Sequence, residues 1–199
     1  MDEQKKAAID ADFFRNITQY EQGTNLFVQV MNDLKLAPVM HEFVAKVELK
    51  GNQYLQQLLD DGIIKIISYT DYLKEEDKAE YKEYFLEAYE RINHFSFSEE
   101  CDIYQYQDPD ESLGEIRSLY MARKMGYIYF MSDDSDAKFL AKNFFLSKSK
   151  VIVKSLYDAL IMCKENNTLL RWKDIDPTVK QAMNKRQDRI SSLRKLYNS

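Results

Sequence analysis

The chain has 199 residues, 45% of them hydrophobic and 13% aromatic, with a net charge of −5. That much apolar material excludes a disordered chain and fits one buried domain, while 5 Gly and 3 Pro are too few for the tight turns of an all-β fold. No apolar run reaches a membrane span, and the opening "MDEQKKAAID" lacks a signal peptide's apolar centre, so a cytoplasmic protein without a membrane role is expected.

In chain order, "KKAAID" (5–10) reads as a first strand ending in an aspartate. "FFRNITQY" and "NLFVQVMNDLK" follow with helical spacing, Leu26, Val30 and Leu34 on one side. "KLAPVM" (35–40) is the second strand, "HEFVAKVELKG" a helix closing at Gly51, "NQYLQQLLDDG" a helix ended by Gly62, and "IIKIIS" (63–68) the third strand. Residues 69–93 are charged and helical, with Tyr81, Tyr84, Phe85 and Ala88 as an apolar stripe that suits a core better than a base-stacking platform. Residues 96–112 read as a loop with weak strand character. "LGEIRSLYMARKMG" (113–126) is a helix stopped by its glycine, followed by the strand "YIYFM", the cluster "SDDSD" (132–136) and the helix "DAKFLAKNFFL". "SKVIV" (149–153) is a fifth strand candidate, and the rest is helical, in "KSLYDALIMCKEN" and then "PTVKQAMNKRQDRISSLRKLY".

Alternating strands and helices imply an α/β fold with a largely parallel central sheet of four to five strands. Ligands of such sheets bind beyond the carboxyl ends of the strands. Cys101, Cys163, His41 and His94 are scattered, which argues against a zinc site or a nucleophile triad. Charge is uneven: residues 137–199 carry 14 basic and 5 acidic side chains, against 14 basic and 28 acidic in residues 1–136. Such asymmetry marks either a polyanion-binding face or solvated helices.

Carboxylates gather after the strands. Asp10 and Asp12 follow the first, Glu42 and Glu48 the second, and Asp133, Asp134 and Asp136 the "YIYFM" strand, while Glu115 opens the helix before it. Oxygen donors without His or Cys suit hard divalent cations, and such cations suit phosphodiester hydrolysis. Each residue also has a plainer reading. Asp12 and Ser135 are candidate helix caps, and Glu115 suits a helix dipole.

The run "SLGEIRSLYMARKMGYIYFMSDDSDAKFLAK" (112–142) resembles the second half of a PIN domain: an acidic residue opening a helix, a glycine three turns on, an apolar strand and a Ser/Thr-x-Asp step. "AAIDADFF" resembles the family's opening strand, although Asp12 stands where Asn is usual, and "PVMHEFVAKVEL" resembles its second acidic block. The likeness spans about residues 5–155 of a single three-layer PIN-like domain, with a helical insertion over 69–111 and a helical C-terminal extension over 155–199. It implies a Mg²⁺- or Mn²⁺-dependent endoribonuclease. Asp10, Glu48, Glu115 and Asp134 would be its catalytic set, and Asp10, Glu115, Asp134 and Asp136 its metal ligands. Glu42 competes with Glu48 and is placed second by its distance from the strand. Asp133 and Ser135 would shape the turn and cap the next helix. Ser132, Lys138 and Lys142 would hold substrate. The implied partner is RNA or single-stranded nucleic acid, with room for an inhibitory protein and for a homodimer.

Two other readings compete. A non-catalytic PIN-like module would bind nucleic acid or protein, using Arg186, Arg189 and Arg194, although Ile190, Leu193 and Tyr197 on the same segment favour docking on the domain. A haloacid-dehalogenase-type phosphatase is similar in its Asp10-x-Asp12 opening, and would use Ser68 and Lys124. Phe14 stands where that family wants Thr or Val, and Glu115 would be idle there.

Overall fold

The computed structural model describes residues 4–20, 22–98, 100–108, 112–144 and 151–198. Five strands form one sheet: β1 (Lys5–Ile9), β2 (Leu36–His41), β3 (Lys65–Ile67), β4 (Tyr129–Met131) and β5 (Ile152–Lys154). All neighbours are parallel, in the order 3-2-1-4-5, so the sheet is wholly rather than mostly parallel. Parallel pairs need long crossovers. These are α1 (Ala11–Thr18) and α2 (Gly23–Asp33), then a π-helical turn (Val44–Glu48) and α3 (Gln53–Asp60). After β3 come α4 (Tyr69–Tyr72), α5 (Lys78–Asn93) and α6 (Leu113–Lys124). α7 (Ser135–Phe144) joins β4 to β5, and α8 (Leu156–Glu165), α9 (Trp172–Ala182) and α10 (Gln187–Asn198) follow.

Side chains alternate across a strand. Ala7, Ile9, Leu36 and Met40 therefore enter one core, closed by α1, α2, α3, α8, α9 and α10. Ala8, Val39, Ile67 and Phe130 enter the other, closed by α5, α6 and α7. A sheet covered on both faces has apolar strands without polar alternation, as "KAAI" and "YFM" do here. Among the described residues no helix is long and apolar enough to cross a membrane.

Several elements differ from the sequence expectation, each for a local reason. β4 begins at Tyr129, because the Tyr127 amide bonds back to the Ala122 carbonyl (2.8 Å) and Gly126, at φ +70°, closes α6. β5 sits at 152–154, in register through Ile152 N to Ile128 O (2.8 Å), and the expected start at 149–150 lies outside the described residues, as does the end of the α7 helix at 145–146. The helical run 69–93 is three pieces, α4, a 3₁₀ turn (Glu75–Asp77) and α5, and the Asp71 and Asp77 carboxylates accept from the Ser68 amide (2.7 Å) and the Lys74 amide (3.3 Å) at the restarts. The final run is two helices, and α9 starts before Pro177 rather than at it. No strand forms in the described part of 96–112.

The insertion packs on α6. Tyr81, Tyr84, Phe85 and Ala88 are buried, as a core stripe should be. α10 docks on the domain through Ile190, Leu193 and Tyr197, and the Tyr197 hydroxyl donates to the Leu160 carbonyl (2.7 Å). Arg189 and Arg194 lie over the Tyr157 and Trp172 rings.

Candidate active site

In this strand order the chain leaves β1 toward β2 on one side and the sheet continues to β4 on the other, so the switch point lies between β1 and β4. Open α/β sheets take their ligands at such a point, beyond the carboxyl ends of the strands. Asp10 follows β1 and Ser132 follows β4. The two strand ends are tied by Asp10 N to Met131 O (3.0 Å), and Ser132 N continues the ladder to Lys154 O (3.0 Å). Asp10 occupies the cap position of α1, yet its side chain makes no capping bond. Oδ2 instead accepts from the Ser132 hydroxyl (2.9 Å), and Oδ1 is buried without a partner.

Glu48 ends the π-helical turn that follows β2. Such a turn carries one residue more than an α-turn and occurs often at functional sites. It is closed by Leu49 N to Val44 O (2.9 Å). Arg15 from α1 donates to the Glu48 carbonyl (2.7 Å), while the amide of Gly114, in the first turn of α6, favours the charged form of the carboxylate. Glu115 follows in that same turn and is 8% exposed.

Burial raises the pKa of all three side chains, and Glu48 adds to the shift of the other two. Burial, then Glu48, pushes Asp10 up to about 8. Burial, then Asp10 and Glu48, pushes Glu115 up to about 10, with Asp134 contributing. Burial pushes Glu48 up to about 7, against the pull of Arg15. Close carboxylates in a dry setting resist ionising together. The structure thus brings Asp10, Glu48 and Glu115 together, with Asp134 at their edge. Glu42 lies elsewhere: it pairs with Lys46 (2.8 Å) and accepts from the Tyr69 amide (3.0 Å), anchoring α4.

The acidic cluster after β4 divides its labour differently from the expectation. Asp134, not Asp133 or Ser135, caps α7, its Oδ1 accepting from the Asp136 amide (2.6 Å). Asp133 turns the other way, accepting from Asn16 Nδ2 (2.8 Å) and from the Leu156 amide (2.9 Å), so it ties α1 to α8. Asp136 accepts from the Ser112 hydroxyl (3.1 Å), which joins α7 to the start of α6. Ser132, expected to touch substrate, is fully buried. It donates to Asp10 and accepts from the Asp134 amide (3.1 Å), so it positions carboxylates instead. Lys138 and Lys142 are exposed on α7, and Lys138 lies near enough to Asp133 to favour its charged form. Asp12 pairs with Arg15 (3.3 Å) at the rim.

The donor set is all oxygen, and one buried oxygen lacks a partner, which fits Mg²⁺ or Mn²⁺ in chemistry and charge. It is not a closed cage: among the described residues no three carboxylates meet at ligation distance. The phosphatase arrangement is not assembled, because Lys124 bonds Asp77 (2.7 Å) on the insertion and Ser68 is taken up by Asp71.

Sequence reasoning missed Gly114, Ser112, Asn16 and Arg15. Only Gly114 carried a signal, as a glycine inside a helix's first turn. Compared with family models, with curated proteins and with solved structures, the chain matches none.

Proposed function

We propose that the chain is a PIN-like, Mg²⁺- or Mn²⁺-dependent ribonuclease that hydrolyses phosphodiester bonds at the β1/β4 crevice. One observation carries the reading. Three carboxylates, each pushed above its usual range chiefly by burial, gather at the switch point, and among the described residues none of them forms an ion pair with a cationic side chain. Burying such charge is costly without a counter-ion, and a divalent cation would supply it.

Asp10, Glu48, Glu115 and Asp134 would hold the ion. When bound, it would stabilise charge on the phosphate and make water a better nucleophile. Ser132 keeps Asp10 Oδ2 occupied and leaves Oδ1 free to ligate. Glu115, pushed up to about 10, would hold a proton at neutral pH when no cation is bound and would have to give it up to serve as a ligand. Asp136 would support the site through Ser112. Lys138 and Lys142 would take the phosphate backbone of a single-stranded RNA, since exposed lysines bind phosphates without reading sequence.

A second reading keeps the fold but not the catalysis. Asp134 already has one oxygen committed as a cap, and the carboxylates do not close on one point, as suits a binding module. The test is a mixed-sequence single-stranded RNA incubated in Mn²⁺, beside a chelated control and the Asp134→Asn variant. Cleavage that needs Mn²⁺ and is lost in the variant supports the nuclease. Intact RNA, together with no Mn²⁺ binding by calorimetry, leaves the binding module.

A further inference from the structure

Gly114 lies against the Glu48 carboxylate. A Cβ built at 114 would overlap Glu48 Oε1 and stand 2.8 Å from Cδ and 2.9 Å from Oε2. The obstacle is the end of the Glu48 side chain; Arg15 on the Glu48 carbonyl and the π-helical turn fix only the backbone, so relief comes from the carboxylate swinging out of place. Backbone conformation does not explain the glycine. Its φ is not positive, unlike that of Gly51, Gly62 and Gly126. Alanine is the better helix former at such a position, so the glycine stands against local propensity. The first-turn amides of a helix lack helical acceptors, and the Gly114 amide favours the charged form of this same carboxylate. Beside it, the unpartnered buried Asp10 Oδ1 marks the spot as a place for a ligand.

The geometry points to Gly114 as a positioning residue: its absent side chain and its N–H together form the seat that fixes the Glu48 carboxylate beside Asp10 and Glu115. The consequence for cation binding rests on the metal-site reading above, whereas the seat itself is independent of it. Glu48 approaches from a turn after β2 and Gly114 from a helix over sixty positions later, so the seat exists only in the folded chain.

Two measurements test this. The first is a thermal cycle in chelator, comparing wild type, Gly114→Ala, Glu48→Ala and the double variant. Gly114→Ala alone lowers Tm by about 3 °C or more. With the Glu48 side chain gone, the same substitution no longer lowers Tm and raises it slightly, because alanine then acts only as a helix former. A loss that persists in the Glu48→Ala background overturns the seat. Should Gly114→Ala not fold, recovery of folding in the double variant supports the seat, and failure of both to fold overturns it. The second is Mn²⁺ titration by calorimetry. Gly114→Ala weakens binding by about tenfold or more, as displacing a ligand's support does. Wild-type affinity in Gly114→Ala overturns the positioning role and leaves the metal site standing. Absence of Mn²⁺ binding by wild type defeats the nuclease reading, and the thermal cycle then decides the seat alone.

Discussion

Helix α6 carries two buried ionisable side chains, two residues apart, that the fold treats in opposite ways. Arg117, 1% exposed, forms no ion pair among the described residues. Its Nη2 donates to the carbonyls of Ile103 (2.9 Å) and Tyr106 (2.7 Å), and the guanidinium lies 4.1 Å over the Phe43 ring, while Nε is buried without an acceptor. The surrounding insertion is a hydrogen-bonded aromatic layer. His41 Nδ1 accepts from the Phe43 amide (3.0 Å), which leaves Nε2 to donate to the Tyr72 hydroxyl (3.0 Å). Burial, helped by Arg117 and Lys46, holds His41 neutral by lowering it to about 3. Glu115, by contrast, shares its crevice with two further carboxylates, and each raises the cost of ionising the next. A buried charge with carbonyls and ring faces around it builds structure. Like charges gathered in one dry place store a cost that a ligand relieves.

The contrast can be broken at either end. The largest effect is expected on activity: Asp10→Asn lowers Mn²⁺-dependent RNA cleavage by about a hundredfold or more, in single-turnover assays at fixed protein concentration. Cleavage within a few fold of wild type would mean the crevice does no chemistry. On the structural side, Arg117→Ala removes the tie between α6 and the carbonyls of Ile103 and Tyr106. It destabilises by about 3 kcal/mol in urea unfolding, without changing Mn²⁺ affinity in the folded protein.

The pH response separates the two regions by sign. Asp10, Glu48 and Glu115 have folded pKa values of about 8, 7 and 10, above their unfolded values. The folded state then binds more protons than the unfolded one, so stability falls as pH rises through this range. His41 works the other way: neutral when folded, it costs stability as pH falls from 6.5 toward its folded value of about 3. In chelator, Tm should therefore fall steadily between pH 6.5 and 9, and saturating Mn²⁺ should flatten that slope. A slope unchanged by Mn²⁺ would separate the carboxylates from any cation. The smallest effect belongs to Tyr72→Phe, which strips His41 Nε2 of its acceptor and costs about 1 kcal/mol, with no change in the slope above pH 6.5.

Much of this was legible before folding. "KKAAI" and "YFM" read as strands because a parallel sheet buried on both faces leaves apolar runs. Distance along the chain favoured Glu48 over Glu42 without deciding between them. The roles inside "SDDSD" were not legible. Every member is chemically able to cap, ligate or tie, and the choice fell to partners that lie far away in sequence: Ser112 for Asp136, Asn16 and Leu156 for Asp133.

By itself, then, the sequence determined an α/β chain whose carboxylates follow its strands, since periodicity and order are local properties that neighbouring residues express. Only the tertiary structure decided which carboxylates meet. Packing of the π-helical turn against α6 lets Glu48 rest on Gly114, and the β1/β4 pairing places Asp10 beside Ser132. Their burial and mutual repulsion, which carry the functional reading, arise from that convergence and belong to no single stretch of the chain.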